Sequence, residues 1–115
     1  MRLGADQRGA GTVLAVAVIG AIVTAGAAVL LAVAVLAAQQ GVQNAADAAA
    51  LAAADTLSGR AAGYPCPNAE RAATLNEASV TGCSTDRLIA AVTVTRDWAQ
   101  LRLTARARAG PPGSR

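Results

Sequence analysis

Residues 13–38 read VLAVAVIGAIVTAGAAVLLAVAVLAA, a run of 26 positions from Val13 to Ala38 that only Gly20, Thr24 and Gly26 interrupt. No charged residue occurs anywhere between Gly9 and Ala46. A helix needs about 20 apolar residues to cover the hydrocarbon core of a bilayer, so this run is long enough to cross with some tilt. The apolar part of a secretory signal is only about 7–15 residues long. The length therefore predicts a retained anchor, set against a cleaved signal with an unusual apolar region or a buried helix of a larger assembly.

The flanks predict an orientation. Arg2 and Arg8 precede the run, offset only by Asp6, whereas the first charges after it are Asp47 and Asp55 and the first basic residue is Arg60. Basic residues within about 15–20 positions of a span stay in the cytoplasm. The expected topology is a single pass through the cell membrane, N-terminus cytoplasmic and C-terminus extracytoplasmic.

The helix should not stop where the grease stops. Gln39, Gln40, Gln43 and Asn44 end the hydrophobicity, yet residues 44–55, NAADAAALAAAD, are mostly Ala, the best helix former. Gly41 is the weak point, costing about 1 kcal/mol relative to Ala. Ser58-Gly59 and then Gly63-Tyr64-Pro65 supply the stop. One helix over about residues 12–57 follows, and its ~46 residues would measure roughly 70 Å. The half beyond the span carries only Val42, Leu51 and Leu57 as large apolar residues among small Ala side chains. Such a surface suits close packing among like helices, as small residues do in membranes. Composition bias alone is the bland alternative. The candidate packing positions are Gly20, Thr24 and Gly26 within the span and Ala46, Ala49, Ala50 and Ala53 beyond it.

Composition limits the chemistry. Of 115 residues, 54% are hydrophobic, 2% are aromatic, ten are Arg or Lys (all Arg) and none is His. Without His, a His-ligated metal site or a Ser–His or Cys–His pair is impossible. No catalytic, metal or cofactor-binding residues are expected, and the chain is not expected to be an enzyme. The net charge of +3 is too small to argue for nucleic acid, which is not expected as a partner.

The exported part is thinly cored. Residues 39–115 hold 13 large apolar side chains, and domains of this size are marginal even with a normal core. Cys66 and Cys83 offer a staple, because two Cys in a short exported chain usually pair. The alternatives are free thiols or bridges to a partner. Between the cysteines, residues 68–79 read as a short helix, with Pro67 in the first turn, Glu70 near its positive end, and Ala69, Ala72, Ala73 and Leu75 inward. Glu70 and Glu77 are read as a solvated face. Two strands follow, Leu88–Thr95 and Leu101–Ala109, and the short Arg96–Gln100 link predicts an antiparallel hairpin. In the second, Leu101, Leu103, Ala105, Ala107 and Ala109 take one side; Arg102, Thr104, Arg106 and Arg108 take the other. That Arg row is read as the solvated, aggregation-resistant face of an edge strand, or else as a contact for anionic lipid, nucleic acid or acidic partners. Trp98 and Tyr64 are read as core and loop packing.

The organisation expected is a basic leader (1–9), a transmembrane helix (10–38), its extracytoplasmic extension (39–58), a small helix-and-hairpin module (59–109) and a disordered tail (110–115). The expected fold class is α+β and minimal.

Arg8-Gly-Ala-Gly-Thr-Val13 at the lip of the run, the AADAAALAAA segment of residues 45–54 and the Cys-containing module together resemble the TadE/TadG-like pseudopilins of tight-adherence (Flp-type) pilus systems. The likeness is closest to the short TadE-like variety found beside helicase and secretion genes. The resemblance implies a pilin-like fold and cleavage by a prepilin peptidase between Gly9 and Ala10. It also implies partners: the lipid bilayer, other pilin-type or pseudopilin subunits, and the peptidase. Pilins generally carry Glu at the fifth mature position, where this chain has Leu14, which points to a minor, tip or assembly role. Two other functions fit the residues: a small exported binding or inhibitory protein with a cleaved signal, and a single-pass membrane regulator.

Overall fold

The computed structural model describes residues 3–113, with side chains described from Gly9 onward. The expected basic leader's Arg2 and the tail's Ser114 and Arg115 lie outside the described residues, as does the side chain of Arg8. The elements are α1 (Leu3–Leu57), α2 (Pro65–Leu75), β1 (Ser79–Asp86), β2 (Ile89–Trp98) and β3 (Leu101–Ala109). The chain divides into two compact units, residues 1–35 and 36–115.

In the first unit α1 begins at Leu3, well before the expected residue 12. No proline stands between residues 3 and 12, and Gly4, Gly9 and Gly11 weaken a helix without ending it. Every side chain from Gly9 to Val33 is exposed, the large apolar ones included. The helix is long and apolar enough to cross a membrane.

In the second unit the sequence builds a layer of helix on a sheet. The C-terminal stop of α1 falls where expected, at Leu57. Gly59 takes φ +84°, Arg60 N–H donates to the Asp55 carbonyl and Gly59 N–H to that of Thr56. That is a Schellman cap, and it requires the left-handed residue that Gly supplies. The same closure ends α2: Ala78 N–H donates to Ala73 O and Glu77 N–H to Thr74 O, but here the left-handed residue is Glu77 at φ 60°.

α2 differs from the expected helix at both ends. It starts at Pro65 with its second proline at Pro67, so Glu70 falls outside the first turn. It ends at Leu75 rather than Ser79, and Leu75 is 80% exposed instead of facing inward. Ala69 and Ala73, one helical turn apart, are the buried side, and Leu75 lies well round the helix from both.

The sheet has three strands in the order β1-β2-β3, all antiparallel, where a two-stranded hairpin was expected. β1 is the addition: Ser79–Asp86 pairs with β2 from Ser79↔Thr95 to Asp86↔Ile89, with an irregularity between Val80 and Gly82. β2 runs to Trp98, so the link to β3 shrinks to Ala99 and Gln100, at φ 49° and 67°. Positive φ at both central residues is the type I′ pattern whose twist matches a hairpin. β3 has the expected limits, and Leu103 and Ala105 are buried, but Leu101 is half exposed at the strand's start.

The core sits between the inner face of the sheet and the helices. Val42, Ala45, Ala46, Ala49, Ala50 and Ala53 of α1, Ala69 and Ala73 of α2, Ala90, Val92 and Val94 of β2, and Leu103 and Ala105 of β3 form one buried cluster. Most of these are Ala, so each buries little area, and the helix backbone can lie close to the strands. Cys66 and Cys83 are disulfide-bonded, with Cα atoms 6.0 Å apart, tying the first turn of α2 to β1. Asn68 closes the preceding loop by donating from Nδ2 to Thr56 Oγ1 (2.7 Å) and Ala62 O (2.9 Å). Within the expected tail, Gly110 lies against Ile89: a β-carbon there would be 3.1 Å from Ile89 Cγ1.

Candidate functional site

Gly9 and Ala10, the candidate processing site, lie within α1, exposed, and a β-carbon at Gly9 would meet nothing within 4 Å. A peptidase needs an extended backbone, and Gly9 and Gly11 lower the cost of opening the helix there. Gly20, Thr24 and Gly26 are exposed on the same helix in the first unit. Thr24 Oγ1 donates to Gly20 O at 2.7 Å, which satisfies the hydroxyl internally and joins two of the three positions.

Ala46, Ala49, Ala50 and Ala53 are placed differently from the expectation. All four are buried within their own unit's core, which leaves no surface on them for a neighbouring helix. They share that core with Ala69 and Ala73 of α2, Ala90, Val92 and Val94 of β2, and Leu103 and Ala105 of β3. The exposed positions along this half of α1 are Gln40, Asn44, Asp47 and Leu51. Gln40 Nε2 donates to Asn44 Oδ1 (3.1 Å), and the half-buried Gln43 donates from Nε2 to Asp47 Oδ1 (3.2 Å).

Two glutamines hold α1 to the strand edge. Gln39 Nε2 donates to Thr104 O (3.1 Å) and Gln43 Nε2 to Arg106 O (3.0 Å). The spacing fits because four helix residues rise about 6 Å and two strand residues about 6.6 Å. Gln43 thereby shares its amide between Asp47 and the strand. These two residues had been read only as the end of the grease; the i, i+4 spacing of two amides was the available signal.

The outer face of the sheet carries the Arg row. Arg102 Nε lies 3.5 Å from Asp97 Oδ1, its cross-strand partner. Arg106 and Arg108 have no ion-pair partner among the described residues. They border an open depression of about 700 Å3 whose floor is Gly82, Ser84, Ala91 and Thr93. Pairing aligns Gly82, Thr93 and Arg106 in one row and Ser84, Ala91 and Arg108 in the next. Small residues, two hydroxyls, the Asp86 carboxylate and two guanidiniums line this shallow shelf. Glu70 and Glu77 are both exposed.

Compared with known protein families, curated proteins and solved structures, the chain shows no match. Its own geometry defines the class: one long apolar helix, a short helix and a three-stranded antiparallel sheet stapled by a disulfide.

Proposed function

We propose that the chain is a TadE-like minor pseudopilin, a non-enzymatic, membrane-anchored component of a Flp/Tad-type pilus or related secretion apparatus. The observation that carries this reading is the double use of one helix. From Gly9 to Val33 every side chain of α1 is open to its surroundings, while Val42 to Ala53 supply most of the buried helix positions of the α+β module. Exposed apolar surface on this scale needs lipid or other helices to cover it. The N-terminus is cytoplasmic and the disulfide-stapled module extracytoplasmic, where Cys66–Cys83 persists. Its partners are the bilayer, other pilin-type subunits and a prepilin peptidase that cuts between Gly9 and Ala10.

The competing secreted form would need a cut between residues 38 and 60. A cut beyond Val42 removes part or all of the helix segment that fills the core, so only a cut close to Ala38 would leave the module that segment. N-terminal sequencing of the chain from cells with an active prepilin peptidase tests the assignment. A start at Ala10 supports it. An intact Met1 leaves a plain membrane anchor in its place, and a start beyond Ala38 refutes both.

A further inference from the structure

The module of residues 36–115 has two outer faces of complementary character, one on its helices and one on its sheet. Val42, Ala46, Ala49 and Ala53 of α1 lie in the core, so positions half a turn round the helix point away from it. Leu51 stands there, 57% exposed, with Asp47 one turn before it and Asp55 one turn after. It is a large apolar side chain left uncovered between two carboxylates. Arg60 follows in the loop, 4.0 Å from Asp55.

The sheet side mirrors this order. Arg106 and Arg108 border the shelf, and Asp86 stands one row beyond Arg108. Along the strands the charges run positive, positive, negative; along α1 from Asp47 they run negative, negative, positive. The spans agree as well. Asp47 to Asp55 covers about 12 Å of helix with Leu51 midway, and the rows from Arg106 to Asp86 cover about 13 Å of strand. Direction agrees too, because Gln39 and Gln43 reach the carbonyls of Thr104 and Arg106 in that order, so this part of α1 runs the same way as β3. One module laid on the sheet of the next without inversion sets Asp47 beside Arg106, Asp55 beside Arg108 and Arg60 beside Asp86.

We infer that a second copy of this chain occupies the shelf, with Leu51 of one module seated on the floor of the next between its flanking ion pairs. The inference deepens the pseudopilin reading and rests on it, since it names the subunit that packs beside this one and the surface it uses. Gly82 and Ala91 in the floor let a helix approach closely, as small residues do between packed helices. The two surfaces differ and lie on opposite sides of the module, so the contact is heterologous and each copy can extend the row. Exposed ion pairs are individually weak, but copies held in one membrane meet at high effective concentration, where a weak contact suffices.

Full-length chains carrying Leu51→Cys and Ala91→Cys, differently tagged, are expressed together and their membranes oxidised with copper phenanthroline. The mixture should give a dimer bearing both tags, and either variant alone should stay monomeric, because Leu51 meets Ala91 rather than another Leu51. Arg106→Asp in the Ala91→Cys chain should lower the yield about tenfold, and Asp47→Arg in the Leu51→Cys chain should then restore most of it. Absence of the mixed dimer overturns the contact, as does an equal yield from Leu51→Cys alone. A yield indifferent to Arg106→Asp, or a loss that Asp47→Arg does not recover, overturns it as well. None of these outcomes depends on which residue begins the mature chain, so the contact and the pseudopilin reading fail separately.

Discussion

The guanidinium of Arg96 stands where a β-carbon on Gly41 would need to be: Nη1 is 2.8 Å from that position. From there Arg96 donates through Nε to Glu77 O (3.0 Å) and through Nη2 to Asn76 O, the carbonyls of the two residues just past α2. One side chain of β2 thus ties the end of α2 to the face of α1, across a helix position kept free of a side chain. Cations are favoured at helix C-termini, where unpaired carbonyls concentrate negative charge.

This makes the sign of a glycine substitution depend on a distant arginine. In an ordinary helix interior Gly→Ala adds about 1 kcal/mol of stability. Gly41→Ala should instead destabilise, because the methyl displaces a guanidinium whose hydrogen bonds are worth roughly 1–3 kcal/mol. In an Arg96→Ala background the same change should become stabilising. Thermal unfolding of the four proteins in detergent measures the coupling; additive effects would show that Arg96 does not occupy the Gly41 face.

The disulfide closes a short loop, with a sequence separation of 17 between Cys66 and Cys83. Replacing both with Ser should lower stability by about 3 kcal/mol through the freed unfolded chain. Before any substitution, the protein should resist alkylation and weigh two protons less than its reduced form. Two alkylatable thiols would contradict the bond.

Gln39 and Gln43 cover backbone carbonyls along β3, the strand at one edge of the sheet. Changing both to Ala should cost about 0.5–1 kcal/mol each and expose an edge that can pair with another chain. Size-exclusion chromatography in detergent should show concentration-dependent oligomers for the double variant. A profile identical to the unmodified protein would mean the glutamines do not protect the edge.

Four left-handed positions carry residues that resist that conformation: Glu77, Arg87, Ala99 and Gln100. Ala99→Asn with Gln100→Gly should stabilise the hairpin by about 1 kcal/mol, because Asn-Gly is the preferred type I′ pair. Glu77→Gly should add roughly 0.5–1 kcal/mol at the α2 cap. Midpoints of chemical unfolding check both, and a fall in midpoint would contradict the turn assignment.

What could be read from the chain follows from how local each signal is. The stop at Leu57 was legible because Ser58-Gly59 closes the helix by itself, and β3 because its alternation of apolar residues with Arg and Thr is uninterrupted. β1 was hidden: SVTGCSTD carries one large apolar residue and a glycine, and it is a strand because β2 pairs with it. Ala46, Ala49, Ala50 and Ala53 showed only as small residues, because the side chains of α2, β2 and β3 that share their core lie far along the chain. Gly41 showed only its helix penalty; Arg96, which uses the gap, lies 55 positions further along. The Arg row and the cysteine pair were visible as residue types, but the floor of Gly82, Ser84, Ala91 and Thr93 beneath two of those arginines exists only in the folded register.

The most direct test of a spanning helix with an outward module is trypsin added to spheroplasts, followed by alkaline carbonate extraction. Arg60, exposed in the loop after α1 with its ion-pair partner Asp55 at 4.0 Å, is the accessible cleavage site. Untreated chain should stay in the carbonate-washed membrane, and external trypsin should cut it there while the membrane remains sealed. Chain extracted by carbonate, or chain cut only after the membrane is opened, would contradict the membrane span or its orientation.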